Sequence, residues 1–193
     1  RFIGARDRKN AREAVHTAVS VSVLGGLALA VLGFVLARPI LLWMGSPDDV
    51  IDLAVLYVRI IFIGMPVQML YNFSAAVLRS VGDTKRPLYF LIFSSIMNIV
   101  LDLVFVIVFH MGVEGVAIAT IASQFISATL AIIHVSKLND ECRLEFKKLS
   151  IDFSVLKQLV KVGLPAGIQG SLFSVSNMVL QIGYNSLGPV IVN

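Results

Sequence analysis

Long apolar runs alternate with short polar clusters along this chain. Five stretches of 19 or more residues carry at most one charged residue each: 17–37, 60–78, 88–109, 115–133 and 162–193. About 20 apolar residues wound as a helix cross a hydrocarbon core of about 30 Å. Backbone in contact with lipid must satisfy its own hydrogen bonds, which a helix does. The pattern predicts an all-α, polytopic membrane bundle.

The polar clusters predict the connections. Ser46-Pro47-Asp48-Asp49 suits a turn that caps the second span. Gly82-Asp83-Thr84 breaks the chain, and Pro87 opens span 3. Gly112 and Gly115 bracket the turn into span 4. Residues 135–161 mix both charge signs with Leu144, Phe146, Leu149, Phe153, Leu156 and Leu159. They read as a linker that ends in a surface helix on the inner face. The chain therefore divides into four spans over 1–134, a linker over 135–161 and a fifth span over 162–193. That span holds Gly163, Pro165, Gly167, Gly170, Gly183, Gly188 and Pro189. Such residues either kink a membrane helix, with Pro165 at the bend or in the first turn, or allow close helix packing.

Composition agrees with a membrane protein. The 193 residues are 57% hydrophobic and 15% charged, against roughly 45–50% and about 25% in soluble domains. Mean hydropathy is +0.87. Secreted, disordered and nucleic-acid-binding classes are excluded. A single cysteine, Cys142, leaves no disulfide framework and no cysteine metal site. The chain opens at Arg1 inside a basic loop and stops at Asn193 at the end of an apolar run. It is expected to be a piece of a longer protein.

The net charge of +4 comes from the loops. Fourteen of the 16 basic residues fall on alternate connections: the leading loop, the Gly82 loop and the 135–161 linker. Basic loops stay on the cytoplasmic side. The leading loop is expected inside and the end of the chain outside.

Little in the spans suggests catalysis. There is no glycine-rich phosphate loop and no histidine pair at metal spacing, and His16, His110 and His134 fall at span ends. The reading is a non-enzyme without a cofactor. One acid stands apart: Asp102 is the only charged residue inside a span. An ionisable group in hydrocarbon marks a pathway or a partner. Asn98 precedes it by four residues and shares its helical face. Counted from the outer ends of spans 3 and 4, Asp102 lies about 10 Å deep and Thr120 about 8 Å, so the hairpin could bring them together. A carboxylate, an amide oxygen and a hydroxyl suit a proton or a hard cation such as sodium. The alternative is a structural polar cluster between helices. Gln68 and Asn72, four residues apart, together with Tyr71 and Gln124 are candidates for a substrate cavity. Interhelical hydrogen bonding is their duller use.

Leu78-Arg79-Ser80-Val81-Gly82-Asp83-Thr84-Lys85-Arg86-Pro87 resembles the loop signature of the multidrug and toxic compound extrusion (MATE) transporters. Gly115-Val116-Ala117-Ile118-Ala119-Thr120, the Asn98-to-Asp102 spacing, and Gly4-Ala5-Arg6-Asp7 with Ala11-Arg12 are similar to neighbouring family segments. The resemblance implies a two-lobed, twelve-helix transporter in which spans 1 to 4 here are the third to sixth and span 5 the seventh. It implies a multi-pass protein of the cell membrane, monomeric at full length, that exports small and mostly cationic molecules in exchange for sodium or protons. In one branch an acid of the first span joins an asparagine, an aspartate and a threonine in a cation site, and Asn98, Asp102 and Thr120 match the last three. A related exporter class that flips lipid-linked oligosaccharides is the alternative, although its cavities are more basic than these spans.

Overall fold

The start of α1 (Arg8–Trp43), the end of α3 (Met65–Ser80) and the end of α5 (Val113–Ser136) meet in one apolar cluster. Val15, Val19, Val77, Leu78 and Val135 form it. A second cluster joins Ala37 near the other end of α1 to Ile51 and Val55 of α2 (Ile51–Ile63). The two clusters fix an up-and-down arrangement in which successive spans reverse direction. The computed structural model describes residues 8–43, 49–138 and 151–186. Two further elements are α4 (Lys85–Leu103), continued by a π-helical turn over Val104–Val108, and α6 (Phe153–Ser186). Helix is the only regular structure among the described residues.

Burial is inverted relative to a soluble protein. Leu24, Leu27, Val31, Val35, Ile99 and Phe125 are exposed, while Ala117, Ala119, Ala131, Ser74, Ser94 and Ser123 are buried. Lipid is as apolar as leucine, so large side chains gain nothing by facing inward, whereas small ones let helix backbones approach. Three helices are long and apolar enough to cross a membrane: α1, α4 with its π turn, and α5. The bent pair α2 and α3 makes a fourth span if counted as one. The fifth apolar stretch runs beyond the described residues at 187–193.

The second span is broken, which its uninterrupted apolar sequence did not suggest. Its axis turns by 44° between α2 and α3. Gly64 ends α2, and Pro66 occupies the first turn of α3, where its missing N–H costs nothing. The bend is held from two sides. A Cβ on Gly26 of α1 would lie 2.4 Å from Pro66 Cα, and one on Gly64 would lie 2.7 Å from Ile121 Cγ1 of α5. Above the bend, Arg59 lays its guanidinium 4.7 Å from the Phe34 ring centroid and donates to the Phe34 carbonyl at 3.2 Å. Arg59, which the charge-free run 60–78 leaves at a span edge, thus lies eight residues inside the bent span. It is a second charged residue within a span besides Asp102, and it is satisfied without a carboxylate.

The start of the second span also differs from expectation. Residues 44–48, with Ser46, Pro47 and Asp48, lie outside the described residues. The residue before α2 is Val50, and no side chain caps the helix. Asp52 in the first turn pairs instead with Arg38 at 3.1 Å. A carboxylate there also faces the positive end of the helix dipole.

Contacts divide the chain into two units, Arg1–Asp152 and Phe153–Asn193. In the second, α6 runs through Lys161 and past Pro165 as one helix, so Pro165 is well inside it and not in a first turn. Gly163, Gly167 and Ser171 recur every fourth residue along α6 and leave a shallow groove between Leu164, Ile168, Leu172 and Val175. Residues 139–150 of the linker, Cys142 among them, lie outside the described residues.

Candidate functional site

The glycine loop between α3 and α4 shapes one end of the bundle. Gly82 has φ +90°, a left-handed conformation that glycine adopts without a Cβ clash. The Asp83 N–H donates to the Leu78 carbonyl at 3.0 Å and the Gly82 N–H to the Arg79 carbonyl at 3.1 Å. These two bonds are a Schellman cap on α3. Asp83 then starts α4: Oδ1 accepts the Arg86 N–H at 3.2 Å and Oδ2 the Arg86 guanidinium at 3.1 Å. Arg86 Nη1 also contacts His134 Nε2 near the end of α5, and that nitrogen lies 3.7 Å from Asp83 Oδ2. Tyr71 Oη donates to the Pro87 carbonyl at 2.8 Å. Gly82 and its neighbours thus join α3, α4 and α5 at one end.

Farther along α4, Ser94, Asn98 and Asp102 recur every fourth residue on one face. Ser94 Oγ crosses to α5 and donates to the Ser123 carbonyl at 2.6 Å. Asn98 Nδ2 and Asp102 Oδ1 are both buried and both without a hydrogen-bond partner. Buried polar atoms are almost always paired, and an exception calls for an explanation. On α5, Thr120 Oγ1 donates to the Val116 carbonyl at 2.9 Å. Its proton is used there, and its oxygen lone pairs stay free to accept a proton or meet a cation.

Two contacts set the register of the α4–α5 hairpin. Ser94 lies opposite Ser123, and a Cβ on Gly115 would stand 3.2 Å from Phe105 Cβ. On that register Thr120 falls level with Asn98, and Asp102 stands roughly 3–8 Å further out along the axis. Counting from the span ends had set Thr120 level with Asp102. The difference arises because Gly115 stands beside Phe105 and not beside Phe109, so the two span ends used for the count are not level. The π turn at Val104–Val108, which no sequence signal announced, shortens the rise at the outer end further, so a count from Phe109 places Asp102 too deep. Such turns in membrane and soluble helices alike are frequent near functional residues.

The other candidates are spread apart. Gln68 and Asn72 share an exposed face of α3. Tyr71 points elsewhere and spends its hydroxyl on Pro87, while Gln124 is half-buried on α5. Among the described residues no three His, Cys, Asp or Glu side chains come together as metal ligands. Any cation at Asp102 would therefore rest on neutral oxygens beside one carboxylate.

The sequence profile of the MatE family matches residues 1–104. The chain belongs to that family. Members of the MatE family are transporters, not enzymes, and this MatE chain is a membrane protein. It is 32% identical over 194 residues to the probable multidrug resistance protein YoeA of Bacillus subtilis (strain 168), an alignment covering 96% of this chain and 42% of that protein. It is 34% identical over 183 residues to the probable multidrug resistance protein YpnP of the same organism, covering 90% of this chain and 39% of that one. A solved multidrug resistance MATE transporter of the MOP superfamily, in an outward-facing conformation, superposes with a TM-score of 0.83. It shares 25% identity over 92% of this chain and 40% of its own. The chain thus spans about two fifths of the length of the relatives it matches.

Proposed function

We propose that this chain is part of a cation-coupled antiporter that exports drugs or organic cations across the cell membrane. The single observation that carries the coupling is the pair of unpartnered buried atoms, Asn98 Nδ2 and Asp102 Oδ1, on one face of α4. Asp102 is half-buried, and a carboxylate with an oxygen cut off from water and unpaired favours a neutralising partner. No described side chain supplies one, whereas a proton or a sodium ion from solution can. Asn98 can turn its amide oxygen toward a cation, and Thr120 offers a further oxygen level with it. Filling the site cancels the charge in the α4–α5 hairpin and favours a different helix packing. The ion shifts that equilibrium only by its differential affinity for the two states. The multidrug resistance relatives support drugs as the cargo.

The test uses the full-length transporter in vesicles and follows export of a cationic dye under imposed sodium or proton gradients. The wild type exports the dye under at least one gradient. Asp102→Asn, inserted at normal levels, loses gradient-driven export. Unchanged export by that variant, or transport of lipid-linked oligosaccharides in place of dye, overturns the proposal.

A further inference from the structure

Every serine and threonine on α4 and α5 but one bonds back to its own helix. Ser95 donates to Leu91, Thr120 to Val116, Ser123 to Thr120, Ser127 to Gln124, Thr129 to Phe125 and Ser136 to Ile132. Back-bonding satisfies a hydroxyl inside its own helix whatever its neighbours do. Ser94 is the exception. Only 5% exposed, it donates across to the Ser123 main-chain oxygen at 2.6 Å. That bond requires α5 to hold one distance and one axial position.

We propose that Ser94 is a positioning residue for the coupling-ion site, a strut that sets the register of α5 so that Thr120 stands level with Asn98. This rests on the reading of Asn98, Asp102 and Thr120 as the coupling site. Ser94 lies one turn from Asn98 and two from Asp102 on the same face of α4. Its acceptor, Ser123, is itself 3% exposed and donates its own hydroxyl to the Thr120 carbonyl at 2.8 Å. The path from Ser94 to Thr120 is thus two hydrogen bonds long, and both lie in the packed seam of the hairpin. A slip of α5 by one residue moves it about 1.5 Å along its axis. Such a slip breaks the Ser94 bond and shifts the Thr120 hydroxyl by the same distance relative to Asn98. Ala119 and Ser123, both buried and small, let the helices come close enough for the strut to span the seam.

The strut predicts a split between ion dependence and substrate dependence. In full-length protein in vesicles, Ser94→Ala raises the half-saturating concentration of the driving ion, sodium or proton, by roughly three- to tenfold, the effect of one lost interhelical hydrogen bond. The half-saturating concentration of the dye stays as in wild type. Ser94→Thr keeps a hydroxyl and restores wild-type ion dependence. Ser123→Ala spares the Ser94 bond, whose acceptor is main chain, and loses only the link to Thr120, so its shift is smaller. If Ser94→Ala fails to insert, Ser94→Cys, a weak donor of similar size, takes its place. Asp102→Asn is measured in parallel. If Asp102→Asn keeps wild-type ion dependence, the site and the strut fall together. If Asp102→Asn loses it while Ser94→Ala and Ser94→Cys do not shift it, the strut alone is wrong. Equal shifts for ion and dye, or no restoration by Ser94→Thr, also refute it.

Discussion

The Tyr71 hydroxyl donates to the Pro87 carbonyl at 2.8 Å, fastening the middle of α3 to the first turn of α4. Gln68 and Asn72 lie on a different, exposed face of α3. The three residues therefore separate by role. Tyr71→Phe is expected to lower stability by about 1 kcal/mol, one hydrogen bond, and to leave the substrate profile alone. Gln68→Ala and Asn72→Ala are expected to change which dyes are exported while leaving stability near wild type. Thermal unfolding in detergent and a panel of dyes in vesicles separate these outcomes. A changed dye profile for Tyr71→Phe at unchanged stability would return Tyr71 to the cavity.

The glycine loop is expected to act on geometry and not on cargo. A Cβ on Gly82 would meet open space, but the residue has a φ of +90°. An alanine there meets no clash with neighbours and still carries backbone strain of about 1–2 kcal/mol. Gly82→Ala should lower the melting temperature with no change in ion or dye half-saturation. Asp83→Asn keeps an oxygen for the Arg86 N–H but loses the charge that holds the Arg86 guanidinium, so it should cost less than Asp83→Ala. A variant of Arg79, Asp83, Lys85 or Arg86 with full stability and an altered dye profile contradicts this assignment.

The break in the second span can be tested by volume. A Cβ on Gly33 would fall 1.9 Å from Phe62 Cδ1, part of a side chain, whereas one on Gly26 would meet the Pro66 backbone. A ring can be removed and a backbone cannot. Gly33→Ala and Gly26→Ala should each destabilise by about 1–3 kcal/mol through overpacking. Adding Phe62→Ala should recover much of the loss in the first case and none in the second. Recovery of Gly26→Ala by Phe62→Ala would show that the two contacts are not separate, as measured by thermal unfolding of the single and double variants.

Much of this architecture could be read from the residues, and the exceptions have physical causes. Span existence follows from charge-free length, which is why 17–37 and 115–133 fall inside α1 and α5, and 88–109 overruns the α4 span only by Phe109. The Gly82 turn was legible because a left-handed cap demands glycine. The break at Gly64 was hidden because glycine and proline are common in unbroken membrane helices as well. The π turn was hidden because Val104–Val108 is a plain apolar run whose hydrogen-bond pattern has no compositional mark. Within the candidate site, Asp102 and Asn98 were found from a lone charge and a spacing of four. Ser94 carries no comparable mark in the sequence, since which hydroxyl crosses a helix seam depends on tertiary packing.

The last prediction concerns Thr120, whose side chain separates an oxygen ligand from a shape. Its hydroxyl proton goes to the Val116 carbonyl at 2.9 Å, so only its lone pairs are left for the site. Thr120→Val keeps the β-branched shape and removes the oxygen. Thr120→Ser keeps the oxygen and removes a methyl group. If Thr120 serves as a ligand, Thr120→Val should raise the half-saturating driving-ion concentration by about tenfold or more, as expected for one lost oxygen contact to a charge of about 1.5–3 kcal/mol. Thr120→Ser should stay within about threefold of wild type. If Thr120 only fills space, the order reverses: valine is silent and serine leaves a small cavity. Asn98→Ala, level with Thr120, should resemble Thr120→Val, because it too removes a neutral ligand and leaves the Asp102 charge in place. Both should remain milder than Asp102→Asn, which removes the charge. Ion titrations of dye export, with insertion measured separately, decide the order. A silent Thr120→Val beside an impaired Asp102→Asn would limit the site to α4.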